Sequence, residues 1–176
     1  IPHPGEFGYD TWPPEAYKYI GAVNTWGELS VDVERGIAFF PTGSPTYDYY
    51  GADRPGMNLF GTSLLALDAR TGKRIWHFQL VHHDLWDFDT SSAPQLTTIV
   101  KDGKRRDVVA LAGKSGFLYV FDRVTGEPIW PIEERPVPIS GMPEEKSWPT
   151  QPFPTIVPPF SKLNFTEDDI NPFNNI

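Results

Sequence analysis

Two stretches decide the fold: "SLLALDARTGKRIW" (63–76) and "GFLYVFDRVTGEPIW" (116–130). Both contain D-x-x-T-G-x-x-I-W, carried by Asp68, Thr71, Gly72, Ile75 and Trp76 in the first copy. Asp122, Thr125, Gly126, Ile129 and Trp130 repeat it 54 residues later. Each copy reads as an apolar strand, a tight turn and a second strand ending in Trp. The Asp and Thr side chains can bond turn amides, and the Gly can supply a positive φ. The Trp then lands at a fixed place, where it can pack on a neighbouring unit. Two unrelated hairpins would not be expected to share five residues at one spacing. A weaker echo, "LSVDVERGIAFF" (29–40), sets Asp32 and Gly36 in a comparable strand–turn–strand frame.

Outward from these copies the chain stays β-rich. "APQLTTIV" (93–100) and "RDVVALAG" (106–113) read as strands around the turn "KDGKR". Short strands at a period of about 40–50 residues are the signature of propeller blades. The fold class is therefore all-β, about three blades of a β-propeller, with a blade core over 20–130. From Pro131 the texture changes: 131–160 carries nine Pro, so 131–176 is expected to be a Pro-rich excursion with little regular structure, packed by Trp148, Phe153 and Phe160. Residues 1–19 read as Pro- and aromatic-rich loop. Three blades cannot close a ring, so a piece of a longer propeller is expected.

Composition sets limits. The 176 residues include 19 Pro and 15 Gly, which disfavours long helices. A net charge of −8 argues against a nucleic-acid partner, whose phosphates need a basic surface. With no Cys, disulfides and thiolate chemistry are excluded.

The chemistry concentrates in "LVHHDLWDFDT" (80–90), where His82, His83, Asp84, Trp86, Asp87 and Asp89 crowd together. Asp and His tolerate irregular backbone, so a turn is expected here. Three readings compete on residue types alone. Carboxylates could bind a hard cation, one carboxylate could act as a general base, or the polar groups could simply cap strand ends. Zinc is disfavoured, since His82 and His83 are adjacent and no distant His-rich partner exists. Lys114 follows an apolar strand, where Lys is ordinarily a solvated turn residue. Trp26, in "AVNTWGELS", reads as a strand-initiating residue and ordinarily a packing Trp. The tyrosines of "PTGSPTYDYYGADRPG" (41–56) could line a pocket.

These segments resemble a known family, the pyrroloquinoline quinone (PQQ) dependent dehydrogenases. "ALDARTGKRIW" (66–76) is similar to their tryptophan docking motif, which pins adjacent blades of an eight-bladed propeller. "HHDLWD" (82–87) resembles the segment that holds the catalytic aspartate, and "AGKSGFLYVFDRVTGE" (112–127) the one whose basic residue contacts the quinone. Asp87 closes the pair Trp86-Asp87, and Lys114 lies 27 residues further on, a step like that of the family. Lys at this position and the doubled His resemble the membrane glucose dehydrogenase branch. "NTWGELSVD" resembles the segment whose Trp forms the stacking floor of the quinone, which places the floor at Trp26.

The resemblance implies an oxidoreductase that takes a sugar or alcohol in the periplasm and passes electrons to ubiquinone or a cytochrome. Any membrane anchor would lie in a segment absent from this chain. PQQ and Ca²⁺ or Mg²⁺ are the implied cofactors, with Asp87 as base and metal ligand. Hydride would move to quinone C5, its carbonyl polarised by the metal. Where methanol-type enzymes place a ligating Asn, 18 residues after the Trp, this chain has Ser44, a shorter and weaker metal ligand. A water or Asp48 would then complete the sphere. On this mapping His82, His83, Asp84 and Asp89 become supporting structure. Two alternatives remain at this stage: a non-catalytic propeller that keeps the repeats as a scaffold or assembly protein, and an inactive truncated fragment.

Overall fold

The computed structural model describes residues 1–21 and 23–170, so 171–176, the end of the Pro-rich stretch, lie outside it. Among the described residues nine strands form three antiparallel units, and the helices are three short 3-10 turns. β1 (Ser30–Asp32), β2 (Ile37–Pro41), β3 (Ser63–Asp68) and β4 (Arg74–Gln79) make a four-stranded meander. β5 (Gln95–Lys101), β6 (Lys104–Ala112) and β7 (Leu118–Asp122) make a three-stranded one. β8 (Ile132–Pro136) pairs with β9 (Thr150–Pro154) as a hairpin.

The two docking motifs fold by the same turn chemistry. Asp68 Oδ1 accepts the Thr71 amide at 2.8 Å, and Asp122 Oδ1 accepts that of Thr125 at 2.9 Å. Gly72 and Gly126 follow at φ +70° and +76°, the left-handed region where a Cβ is costly. Trp76 then leaves the first sheet and lies on the turn of the second. Its Nε1 donates to the Arg123 carbonyl at 3.3 Å, and a Cβ built on Gly126 would come within 2.6 Å of its ring.

The 29–40 echo forms the expected strand–turn–strand as β1 and β2, and β2 pairs with β3 in the first sheet. Two expectations need correction. The second motif does not close a fourth strand, because Pro128 stands where Arg74 pairs in the first copy. Proline has no N–H for the ladder, so that strand shrinks to one bridge, Phe121 to Pro128, plus the Ile129 amide on the Val120 carbonyl. The Pro-rich stretch does hold regular structure, the β8–β9 hairpin. Phe153 packs there edge-on to Phe117 at 5.5 Å, whereas Phe160 is exposed.

The core lies between the first two sheets. Phe39, Leu64, Ala66 and Trp76 from one meet Val109, Leu111, Tyr119 and Phe121 from the other. Burying each large apolar side chain contributes about 1.5–3 kcal/mol. Around it, buried Asp32 ties the sheets together by accepting Arg35 at 2.9 Å and Arg123 at 3.0 Å. The third unit is stapled on through Gln151, whose amide exchanges two hydrogen bonds with the His82 backbone, at 2.8 and 2.7 Å. That staple brings the hairpin to the turn carrying the polar cluster.

Candidate active site

The segment after β4 is a turn. Leu80 and Val81 bury against the core, and the chain then reverses through two left-handed non-glycine residues, His83 at φ +46° and Asp87 at φ +56°. Asp84, buried beneath them, accepts the amides of Trp86 at 2.9 Å and Phe88 at 3.0 Å and the Thr62 hydroxyl at 2.7 Å. Burial pushes its carboxyl pKa up, against these donors and the nearby Arg54 charge. The polar residues thus divide: His82, His83 and Asp84 turn inward, and Asp87 turns outward.

Lys114, on the loop after β6, meets Asp87 there. Its Nζ donates to Asp87 Oδ2 at 2.8 Å and to Asp89 Oδ2 at 2.6 Å. Asp89 Oδ1 also accepts the Ser44 amide at 2.7 Å. The same Nζ lies 5.4 Å from the centre of the Trp26 ring, which is 55% exposed. Against the sequence expectation of a strand start, Trp26 sits in a loop four residues before β1. All four residues singled out by the sequence therefore come together, Asp87, Lys114 and Trp26 by side chain and Ser44 through its backbone. Its hydroxyl is turned toward the Pro45 carbonyl at 3.5 Å.

Two members of the cluster were missed. Asp89, read as supporting structure, is the second partner of Lys114 and the carboxylate beside Ser44, the part considered for Asp48. Its signal was its place two residues past Asp87. Gly43 is the other: a Cβ there would lie 2.7 Å from Asp89 Oδ1 and 3.0 Å from Trp26 Nε1, so only glycine lets these groups converge.

The electrostatics separate the two carboxylates. Burial and the adjacent Asp89 push the Asp87 pKa up, despite Lys114. Desolvation acts upward on Asp89 too, but Lys114 and the Ser44 amide outweigh it and hold that carboxyl below its ordinary value. Desolvation alone would lower the Lys114 pKa, and the two carboxylates instead raise it. Of the pair, Asp89 is thus the more acidic and Asp87 the more proton-avid.

Two carboxylates against one ammonium leave one negative charge, and their oxygens are hard donors, which fits a divalent Ca²⁺ or Mg²⁺. Among the described residues no three His, Asp or Glu side chains converge as a complete metal site, so Asp87 and Asp89 could supply only part of one. The exposed Trp26 ring with an ammonium 5.4 Å from its centre fits a planar, anionic aromatic group. Behind the turn lies a largely apolar cavity of about 580 Å³, walled by Trp86, Phe88, Phe117, Tyr119 and Phe153; of the loop tyrosines, Tyr49 reaches it.

Residues 2–176 match the PQQ family described as the glucose/ethanol/alcohol dehydrogenase β-propeller domain. The chain belongs to the PQQ dehydrogenase propeller family. This PQQ propeller chain is 37% identical over 169 residues to quinate/shikimate dehydrogenase (quinone) of Acinetobacter baylyi, covering 93% of the chain and 21% of that protein. It is 39% identical over 162 residues to quinoprotein glucose dehydrogenase A of Acinetobacter calcoaceticus, covering 89% of the chain and 20% of the relative. Among solved structures, quinohemoprotein alcohol dehydrogenase ADHIIG of Pseudomonas putida HK5 superposes with a TM-score of 0.66 at 31% identity, over 75% of this chain and 21% of that one. The PQQ propeller chain thus spans about a fifth of the length of the relatives it matches. Its two meanders are blades of the family propeller, the second short of one strand at Pro128.

Proposed function

We propose that this chain supplies the catalytic base, the quinone floor and part of the metal site of a PQQ-dependent dehydrogenase that oxidises a sugar, alcohol or related polyol. The observation that carries this reading is the position of Lys114, in contact with Asp87 and Asp89 and over the Trp26 ring. A scaffold propeller has no need of that convergence.

Bound PQQ would accept the hydride lost from the substrate carbon. Trp26 would stack against the planar ring, and Lys114 would donate to an oxygen at its edge. Asp87 takes the hydroxyl proton as the carbon–hydrogen bond breaks, a contribution of about 10²–10⁴-fold. Its pKa is raised by burial and by Asp89, which strengthens it as a base. Asp89 keeps Lys114 protonated and in place. Asp87 and Asp89, with the Ser44 hydroxyl if it turns from Pro45, would hold Ca²⁺ or Mg²⁺ as Lewis acid. Relatives named for quinate and glucose make cyclic polyols the first substrates to try, with ubiquinone or a cytochrome as acceptor in the periplasm.

The test is the full-length protein reconstituted with PQQ and Ca²⁺ or Mg²⁺, assayed by dye reduction over quinate, sugars and alcohols. Asp87→Asn should bind PQQ and lose turnover, and Lys114→Ala should be similarly impaired. Undiminished turnover in Asp87→Asn sinks the base assignment. Failure of the full-length protein to bind PQQ would favour the scaffold reading.

A further inference from the structure

The most expensive feature near the turn is one the reaction does not use. Arg54 is fully buried, 0% exposed. Its guanidinium donates to Asn58 Oδ1 at 2.8 Å, to the Asp84 carbonyl at 2.6 Å and to the Tyr47 carbonyl at 3.1 Å. Its Nε finds no partner. Burying a charge in this way costs several kcal/mol unless it is balanced, and an apolar side chain of similar volume would do at least as well for stability alone. The foremost nearby countercharge is Asp84, with Glu145 and Asp48 behind it, and every contact of the Asp84 carboxylate comes from a donor, the pattern of an ionised, acceptor-only group.

Two of those donors are the amides of residues 86 and 88, the neighbours of Asp87 on either side. Asp87 itself is held in the left-handed region, where a non-glycine residue costs on the order of 1–2 kcal/mol. A turn that merely joined β4 to β5 would relax or use glycine. Here one buried carboxylate clips both flanking peptides, and the Arg54 guanidinium grips the carbonyl of the clipping residue.

We propose that Asp84, braced by Arg54, is a positioning residue that fixes the 86–88 backbone so that the Asp87 carboxylate is delivered to Lys114 and the substrate. This rests on Asp87 acting as the base. Neither Asp84 nor Arg54 touches the reacting groups. Their effect is orientation, for which a misplacement of about 1 Å costs on the order of 10²-fold in rate.

The experiment uses full-length, PQQ- and Ca²⁺-loaded protein, with turnover expressed per bound PQQ so that unfolded material does not count. Asp84→Asn keeps the shape but can no longer accept all three donors. It should lower kcat about 10- to 100-fold with KM and PQQ affinity nearly unchanged. Amide exchange in the 84–90 segment should speed up about tenfold or more. If Asp84→Asn does not fold, Thr62→Val removes one donor and should give the same kcat-only loss, smaller in size. Wild-type kcat per bound PQQ in the folded variant overturns the proposal, as does a loss confined to KM. Asp87→Asn run alongside separates the failures: if it abolishes turnover while Asp84→Asn does not lower kcat, only the clamp is wrong. If Asp87→Asn is fully active, the base assignment falls and the clamp with it.

Discussion

Acid should loosen the turn that carries Asp87, and His83 sets the size of the effect. The imidazole is 1% exposed, and its Nδ1 faces the Gly56 carbonyl at 2.8 Å and Asn58 Oδ1 at 3.0 Å. Both are acceptors, so Nδ1 carries the proton, and Nε2 is left buried with Glu145 no nearer than 3.9 Å. Burial, with the Arg54 charge next, pushes the His83 pKa down from 6.5 to about 4. A group whose folded pKa is depressed in this way binds fewer protons folded than unfolded between those values. Stability is therefore whole above about pH 6.5 and declines as the pH falls toward 4. Each pH unit in that window is worth about 1.36 kcal/mol, so pH 5 should cost the turn about 2 kcal/mol, a roughly 30-fold loss of protection. The assay is hydrogen exchange of the 82–88 amides in the full-length protein, corrected for intrinsic rates, at pH 7 and pH 5. His77 is also depressed to about 4, so the comparison must be with a variant. His83→Asn places two amide hydrogens opposite the same two acceptors and cannot titrate. It should start less protected and show little decline in acid. Equal declines in wild type and His83→Asn would refute the reasoning.

Gly126→Ala should destabilise by about 2–4 kcal/mol, from the left-handed φ plus the clash with the Trp76 ring, whereas Gly72→Ala, with nothing within 4 Å, should cost only about 1 kcal/mol; thermal melts of the two compare directly. Trp26→Ala should leave the melting temperature unchanged, because the ring is 55% exposed, yet weaken PQQ binding by about 2 kcal/mol, or roughly 30-fold, in a fluorescence titration. Asp32→Asn should cost on the order of 1–3 kcal/mol near neutral pH by stranding Arg123. Although desolvation acts upward on the Asp32 pKa, Arg123 and Arg35 hold it below its ordinary value, so its stabilisation is present above about pH 4 and lost as the pH falls through the folded pKa. The urea midpoints of wild type and Asp32→Asn should accordingly converge in acid.

What was legible in the sequence was local. The docking turns follow from Asp, Thr and Gly at fixed offsets, because each turn satisfies its own amides within four residues. The missing strand was equally local, but the five matching residues, three before Pro128 and two after it, hid the one substitution that breaks the ladder. That Asp87, Lys114 and Trp26 lie together could be anticipated only from the family spacing. Asp89 with Ser44, and Arg54 with Asp84, lie 45 and 30 residues apart in the chain, and no turn chemistry links them. Gly43 looked like any loop glycine until Trp26 and Asp89 stood on either side of it.

The pair Asp84 and Asp87 shows why residue type could not finish the assignment. They are the same side chain three positions apart, and each has its pKa raised by burial. Charge shift alone would nominate both as bases. Geometry divides them: Asp84 is enclosed by three protein donors and reaches no solvent, so any proton it took would cost the bonds that shape the turn. Asp87 accepts from the Lys114 ammonium alone, beside the exposed Trp26 ring, so a proton can come and go there without breaking a bond to the backbone. A base must be poised and also free, and of these two carboxylates only Asp87 has the exposure that the proposed role requires.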